Sequence, residues 1–205
     1  MTIDKHALIV YWRNSNTVTD ETVLSALEKV PRENFVLKEH KESAYFDVPL
    51  PLMAGQTISQ PTTVAIMTNA LELKSGQKVL EVGTGSGYQA AILSELVGSK
   101  GKVYTIERIK ALVNFAKKNL KGYKNINIIH GDGTKGYAKA APYNRIIVTA
   151  AAAELPEIIF EQLKEGGIMV IPIEDHMFKI TKVKGKPKME DFGLFAFVPL
   201  LPETA

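Results

Sequence analysis

Three glycines alternate with other residues in Gly83-Thr84-Gly85-Ser86-Gly87, directly after the run Val79-Leu80-Glu81-Val82. Without a Cβ, glycine lets the backbone turn sharply and lets a ligand lie against the main chain. A helix opening at Tyr88 would point its unsatisfied N–H groups at the same place. Twenty residues past Gly87, at the end of Val103-Tyr104-Thr105-Ile106, stands Glu107. A carboxylate there can accept both hydroxyls of a ribose. After a third apolar run comes Gly131-Asp132-Gly133, which offers an acceptor for an adenine amino group and a close backbone approach. The glycines are spaced G-x-G-x-G, so the third glycine of a dinucleotide fingerprint is missing and Tyr88 takes its place. No lysine follows as in a loop that cradles a triphosphate. A nucleoside without a pyrophosphate remains, and S-adenosylmethionine is the common one.

The elements that must hold these groups are legible from periodicity. Lys78–Val82, Val103–Glu107, Ile126–Ile129, Arg145–Thr149 and Ile168–Ile173 read as strands. Helices over Tyr88–Val97, around Leu112–Leu120 and over about Leu155–Lys164 read as their connections. Strands separated by helices imply parallel pairing with right-handed crossovers, hence an α/β, doubly wound, Rossmann-like sheet. Lys179–Val183, a turn at Gly185-Lys186-Pro187, and Phe192–Leu200 read as antiparallel strands closing one edge. Before the sheet, Thr19 or Asp20 caps a helix through Val30, and Pro61 opens another carrying Val64, Met67 and Leu71. Residues 41–60, with two prolines, form a long loop, and such loops usually have a function. The expectation is one domain over residues 1–205. Its helical first part, to about residue 75, covers the substrate side.

Composition narrows the partners. Twenty-five basic and 22 acidic residues leave a net charge of +3, too small to demand a nucleic-acid partner. There is no cysteine, so disulfides, zinc ribbons and thiol nucleophiles are excluded together. His6, His40, His130 and His176 are scattered, and no metal site is expected. No apolar run reaches the length of a membrane span, and the N-terminus lacks a secretory pattern. A soluble, cytoplasmic protein is expected. Lys179, Lys182, Lys184, Lys186 and Lys188 read as guards of an exposed sheet edge, and Trp12 as packing of the first helix.

The runs VPRENFV (30–36), AYFDVPLPLMAGQTISQP (44–61), VLEVGTGSGYQAAIL (79–93), GDG (131–133) and APYNRIIVTAAA (141–152) resemble the protein-L-isoaspartate O-methyltransferases. The likeness runs over about residues 19–173, with FVPL at 197–200. It implies methyl transfer from S-adenosylmethionine to the free α-carboxylate of L-isoaspartyl residues in damaged proteins and peptides. The ester would then cyclise to a succinimide and reopen, partly to L-aspartate. By the same likeness Glu81, Gly83, Thr84, Gly85 and Gly87 hold the cofactor, Glu107 its ribose, and Asp132 and Gly133 its adenine. Ser59 matches the family's active-site serine. Thr57 and Ile58 flank the acceptor, and Val148, Thr149, Ala150 and Ala151 lie beside it. The chain departs from the family's usual pattern at Leu52-Met53-Ala54, often glycine-rich, and at Asn144, often aspartate. It departs again at Pro172-Ile173-Glu174, where a PVG turn is usual.

The chemistry asked of these residues is modest. A carboxylate acceptor is ionised at pH 7, so no general base is required. Alignment and exclusion of water carry the rate. The Ser59 hydroxyl suits a positioning role, although a serine there can equally cap the helix that opens near Pro61. A base-methylating enzyme is the competing class, but the [ND]-P-P-[YF] signature expected after the fourth strand is replaced by Thr149-Ala150-Ala151-Ala152.

Overall fold

The computed structural model describes residues 4–202. Two helices open the chain, α1 (Lys5–Asn14) and α2 (Glu21–Lys29), capped by the carboxylates of Asp4 and Asp20. Pro31 follows directly and stops α2. Two short 3₁₀ segments lead to a two-residue antiparallel pair, β1 (Leu50–Pro51) and β2 (Thr57–Ile58). The expected loop is thus folded back on itself. Ala54, in its turn, takes the left-handed conformation at φ 57°, and so does Glu174 at φ 54°. Both lie in stretches where the chain departs from the pattern it resembles, and each takes a positive φ with no glycine at that position. Helix α3 (Pro61–Ala70) starts with proline in its first turn.

From Lys78 strands and helices alternate: β3 (Lys78–Val82), α4 (Tyr88–Val97), β4 (Lys102–Glu107), α5 (Lys110–Asn119), β5 (Ile126–His130), β6 (Tyr143–Val148), α6 (Glu157–Glu161) and β7 (Leu163–Ile173). The hairpin β8 (His176–Val183) and β9 (Lys186–Leu194) ends the sheet, whose spatial order is β5-β4-β3-β6-β7-β8-β9. The first five strands in that order run parallel, and β8 and β9 are antiparallel. Alternate residues of one strand enter different cores, as a pleat requires. Val79, Val103, Ile147 and Val170 pack against the N-terminal helices and α4, whereas Leu80, Val82, Ile146 and Met169 pack with Ile159 and Phe160 of α6.

Two boundaries differ from the sequence reading. The helix expected over 155–164 is five residues long, because Pro156 fixes its start and β7 already begins at Leu163. The last strand begins earlier, at Lys186, because Lys184-Gly185 form a tight turn with both φ angles positive. Residues 195–202 consequently leave the sheet. Pro199 bridges Ala151, the Ala151 N–H bonds Val198 O at 2.8 Å, and the Leu200 N–H bonds Ala151 O at 2.7 Å. The lysines of the hairpin also divide. Lys186 and Lys188 stand exposed on edge strand β9. Lys182 is buried over the Phe160 ring with Glu161 at 3.3 Å, and Lys179 pairs with Glu72. Among the described residues no helix is long and apolar enough to cross a membrane, and no acidic–histidine cluster could hold a metal ion.

Candidate active site

The order of the parallel strands reverses between β3 and β6, and a crevice opens where their carboxyl ends diverge. The cleft there measures about 920 Å³ including its open mouth. Its floor is the glycine turn. Gly83, Gly85 and Gly87 all have positive φ (96°, 54° and 88°), but for different reasons of space. A Cβ on Gly83 would stand 2.3 Å from the Thr149 hydroxyl oxygen, and one on Gly87 would stand 2.9 Å from the Leu120 side chain. At Gly85 a Cβ would meet no protein atom within 4 Å. The first and third glycines therefore serve packing, and the middle one borders open cleft. Gly133 is again a packing glycine, its Cβ position 2.7 Å from Val82.

Glu107 ends β4 and is almost fully buried beneath the turn. Its Oε2 accepts the Gly85 N–H at 3.0 Å and its Oε1 the Ile109 N–H at 2.9 Å. Each oxygen keeps a lone pair for a ligand, and Glu107 lines the cleft. Thr84 also lines the cleft, but its hydroxyl is turned to that of Thr105, 2.6 Å away. Glu81, on β3, also lines the cleft but has no solvent exposure, and neither carboxylate oxygen has a hydrogen-bond partner. Burial pushes its pKa up to about 8, and the charge of Glu107 adds to the shift. An unpaired buried carboxyl is costly, and one facing a ligand cleft is ready for a cation or donor.

On the opposite wall Gln56, Thr57, Ile58 and Ser59 reach the cleft from β2 and the segment leading to α3. The Ser59 hydroxyl makes no hydrogen bond to another described residue, and α3 is not capped by it. The helix-capping alternative for Ser59 is thereby removed, since Asp47 bonds the first turn of α3 instead. Tyr88 forms part of the same wall, and behind it lies the buried guanidinium of Arg32, 5.2 Å from the ring centroid. Arg32 Nε donates to Ala44 O at 2.7 Å, neither terminal nitrogen has a hydrogen-bond partner among the described residues, and burial lowers its pKa to about 10.

The remaining expected site residues divide. Thr149 and Ala150 line the cleft; the Thr149 hydroxyl lies 2.9 Å from Gly83 O and straps the end of β6 to the turn. Val148 is fully buried just behind them, and Ala151 holds the C-terminal segment. The Asp132 carboxylate accepts the backbone N–H and the hydroxyl of Thr134, at 2.9 and 2.6 Å, and lies near Lys135 at 3.4 Å. Only its neighbour Gly133 lines the cleft. Sequence reasoning missed Val198, Pro199, Leu200 and Leu201, which return from the far edge of the sheet to form a wall. The signal was present in the FVPL run, but an expected strand there hid it.

The open glycine position, the shared carboxylate of Glu107, the unpaired Glu81 and an apolar wall of Ile106, Ile109 and Leu112 fit a nucleoside carrying an amino-acid arm. With the sheet order, they define the class of S-adenosylmethionine-dependent methyltransferases. A sequence model of the protein-L-isoaspartate(D-aspartate) O-methyltransferase family matches residues 3–205, and the chain belongs to that family. It is 54% identical to the protein-L-isoaspartate O-methyltransferase of Ignicoccus hospitalis, over 88% of this chain and 89% of that one. The Methanosarcina mazei relative of the same name is 50% identical over 90% and 78%. Among solved structures, a protein-L-isoaspartate O-methyltransferase superposes with a TM-score of 0.89 at 29% identity, covering 98% of this chain and 67% of that one. A Plasmodium falciparum protein, described as a β-aspartate methyltransferase and crystallised with S-adenosyl-L-homocysteine, gives 0.85 at 28%, covering 97% and 98%.

Proposed function

We infer that this protein methylates the free α-carboxylate of L-isoaspartyl residues in damaged proteins and peptides, using S-adenosylmethionine, and so initiates their repair to L-aspartyl. The observation that carries the reading is a serine hydroxyl, without a hydrogen-bond partner among the described residues, on the wall of a cleft that the glycine turn also lines. When bound, the cofactor supplies a sulfonium methyl group, which an acceptor carboxylate oxygen takes up as the sulfur leaves as a neutral thioether. Gly83, Thr84 and Gly85 would support it with main chain, with Gly87 completing the turn behind them, Glu107 would accept its ribose hydroxyls, Glu81 would face its charged arm, and Gly133 would border its base beside Asp132.

The residues of this chain then have three tasks. Ser59 donates a hydrogen bond to one oxygen of the acceptor carboxylate and leaves the other free to react. Thr57 and Ile58 on one side, and Thr149 and Ala150 on the other, confine the acceptor chain, with Val148 and Ala151 supporting them from behind. The apolar walls exclude water, and alignment of this kind is worth several powers of ten in effective concentration. No proton has to be removed, because the acceptor is already an anion near neutral pH. The helical first part of the chain serves as the cover on the substrate side, within a single domain. The same reading places the protein in the cytoplasm, with ageing proteins as its substrates.

The test is methyl transfer from labelled S-adenosylmethionine to paired peptides containing L-isoaspartate or L-aspartate. Base-labile label on the first peptide only is expected. Label on neither peptide but on RNA would overturn the reading in favour of base methylation. In the same assay Ser59→Ala should lower turnover by about 10–100-fold, the loss of one oriented hydrogen bond in a dry site. Its affinity for S-adenosylhomocysteine should stay within about twofold of the native value, since its hydroxyl contributes acceptor alignment.

A further inference from the structure

Helix α3 begins two residues after Ser59, and its first turn is held from a distance. Asp47 Oδ1 accepts the Thr62 N–H at 2.9 Å, and Asp47 Oδ2 accepts the Thr62 hydroxyl at 2.7 Å. The same hydroxyl oxygen accepts the indole N–H of buried Trp12 at 2.8 Å. One threonine thus joins α1, the start of α3 and the segment before β1, with its hydroxyl both donating and accepting. The stretch between Asp47 and Thr62 is closed at its base by this clasp and closed again within by the register Leu50↔Ile58. Ser59 lies between the two closures. Ile58 before it is buried and paired, and Thr62 after it is pinned in two directions. Among the described residues the Ser59 hydroxyl has no hydrogen-bond partner, so what the protein fixes is the backbone position from which that hydroxyl reaches the cleft.

We propose that Asp47 is a positioning residue for methyl transfer: by clasping Thr62 it fixes the backbone position from which Ser59 presents its hydroxyl to the acceptor carboxylate. The proposal rests on the reading of Ser59 given above. A carboxylate suits the task for two reasons. Two acceptor oxygens on one rigid plane take both the N–H and the O–H of Thr62, which fixes rotation as well as distance. Its charge also lies against the positive end of α3. A misplacement on the order of 1 Å at a reacting site can cost ~100-fold in rate, so a remote clasp is enough to govern turnover.

Asp47→Asn keeps the shape and the bond to the Thr62 N–H, but its amide nitrogen cannot accept the Thr62 hydroxyl. Turnover on the isoaspartyl peptide is expected to fall by about 10-fold or more, with the dissociation constant of S-adenosylhomocysteine within about twofold of native. Thr62→Ser, which keeps both donors, should retain turnover, and Thr62→Val should reproduce the loss. These two variants carry the test if Asp47→Asn does not fold, as judged by its thermal transition. The deciding comparison is made in the Ser59→Ala background, where Asp47→Asn or Thr62→Val should slow the enzyme no further, because the two residues act as one unit. An equal slowing with and without Ser59 would overturn the proposal. Native turnover in Asp47→Asn with Ser59→Ala impaired would overturn this proposal alone, whereas full activity in Ser59→Ala would overturn the underlying role of Ser59 as well.

Discussion

Glu81 and Glu107 show how far two carboxylates of one cleft can differ. Glu107 spends its charge on two backbone N–H groups and was recognisable in the sequence by its distance from the glycines. Glu81 is buried with no hydrogen-bond partner among the described residues, a condition that no local pattern announces, because burial is a property of the assembled sheet. In the unfolded chain its carboxyl ionises near 4.5, and in the folded one near 8. Across that window the folded protein holds a proton that the unfolded chain has lost, so its contribution to stability falls as pH rises. Thermal transitions followed from about pH 6 to about pH 8 should show this decline in the native chain and a flatter profile in Glu81→Gln. A ligand bringing an ammonium group favours the ionised form. Calorimetric affinity for S-adenosylhomocysteine should therefore rise over the same range in the native chain and change less in the variant.

The strand–turn–helix unit β3-α4 is where local sequence and element agree most closely, since alternation, glycines and helical spacing all indicate one geometry. Its glycines are nevertheless not equivalent. Gly83→Ala sets a methyl group against Thr149, and together with the left-handed backbone it should destabilise the protein by about 2 kcal/mol or more. Gly85→Ala meets no protein atom, so it should cost only about 1 kcal/mol in backbone strain and leave a folded protein. Its methyl group would stand at the cleft floor, where S-adenosylhomocysteine binding should weaken at least about tenfold. Chemical denaturation and calorimetry on the pair separate the two effects, and equal stability losses would refute the distinction. Elements farther along were harder to bound. The five-residue α6 is shorter than its apolar spacing implied, because the strand register of β7 against β6 takes over at Leu163. The C-terminal pair shifted because the Lys184-Gly185 turn, rather than the following Lys186-Pro187, reverses the chain.

Across the whole molecule the cleft is assembled from the segment before α3 and the C-terminal segment, around the middle of the sheet. Residues 56–59 form one wall and residues 198–201 another, and the glycine floor lies between them. The tail is anchored to the loop after β6 by two hydrogen bonds at Ala151, outside the sheet. A chain ending at Phe197 should therefore fold with its seven strands intact but lose a wall of the site. In the native chain S-adenosylhomocysteine at 100 times its dissociation constant should add about 2.7 kcal/mol of stability, a rise in transition temperature of roughly 5–10 °C for a chain of this size. The shortened chain at the same ligand concentration should gain clearly less. An undiminished rise would show that residues 198–201 contribute nothing to the bound state.

By itself the sequence determined the alternation of strands and helices, the parallel sheet that follows from it, the glycine turn, and the carboxylate of Glu107 one strand further on. These are short-range regularities, each written within a window of twenty or so residues and each enforced by backbone sterics or by the period of its element. The tertiary structure decided which side chains of the cleft are left without partners. It released the Ser59 hydroxyl by giving the first turn of α3 to Asp47, buried Glu81 without a partner, and brought Val198 to Leu201 back beside Ala151. Whether a polar group is satisfied depends on residues tens or hundreds of positions away, and only the packed chain brings them within hydrogen-bond distance.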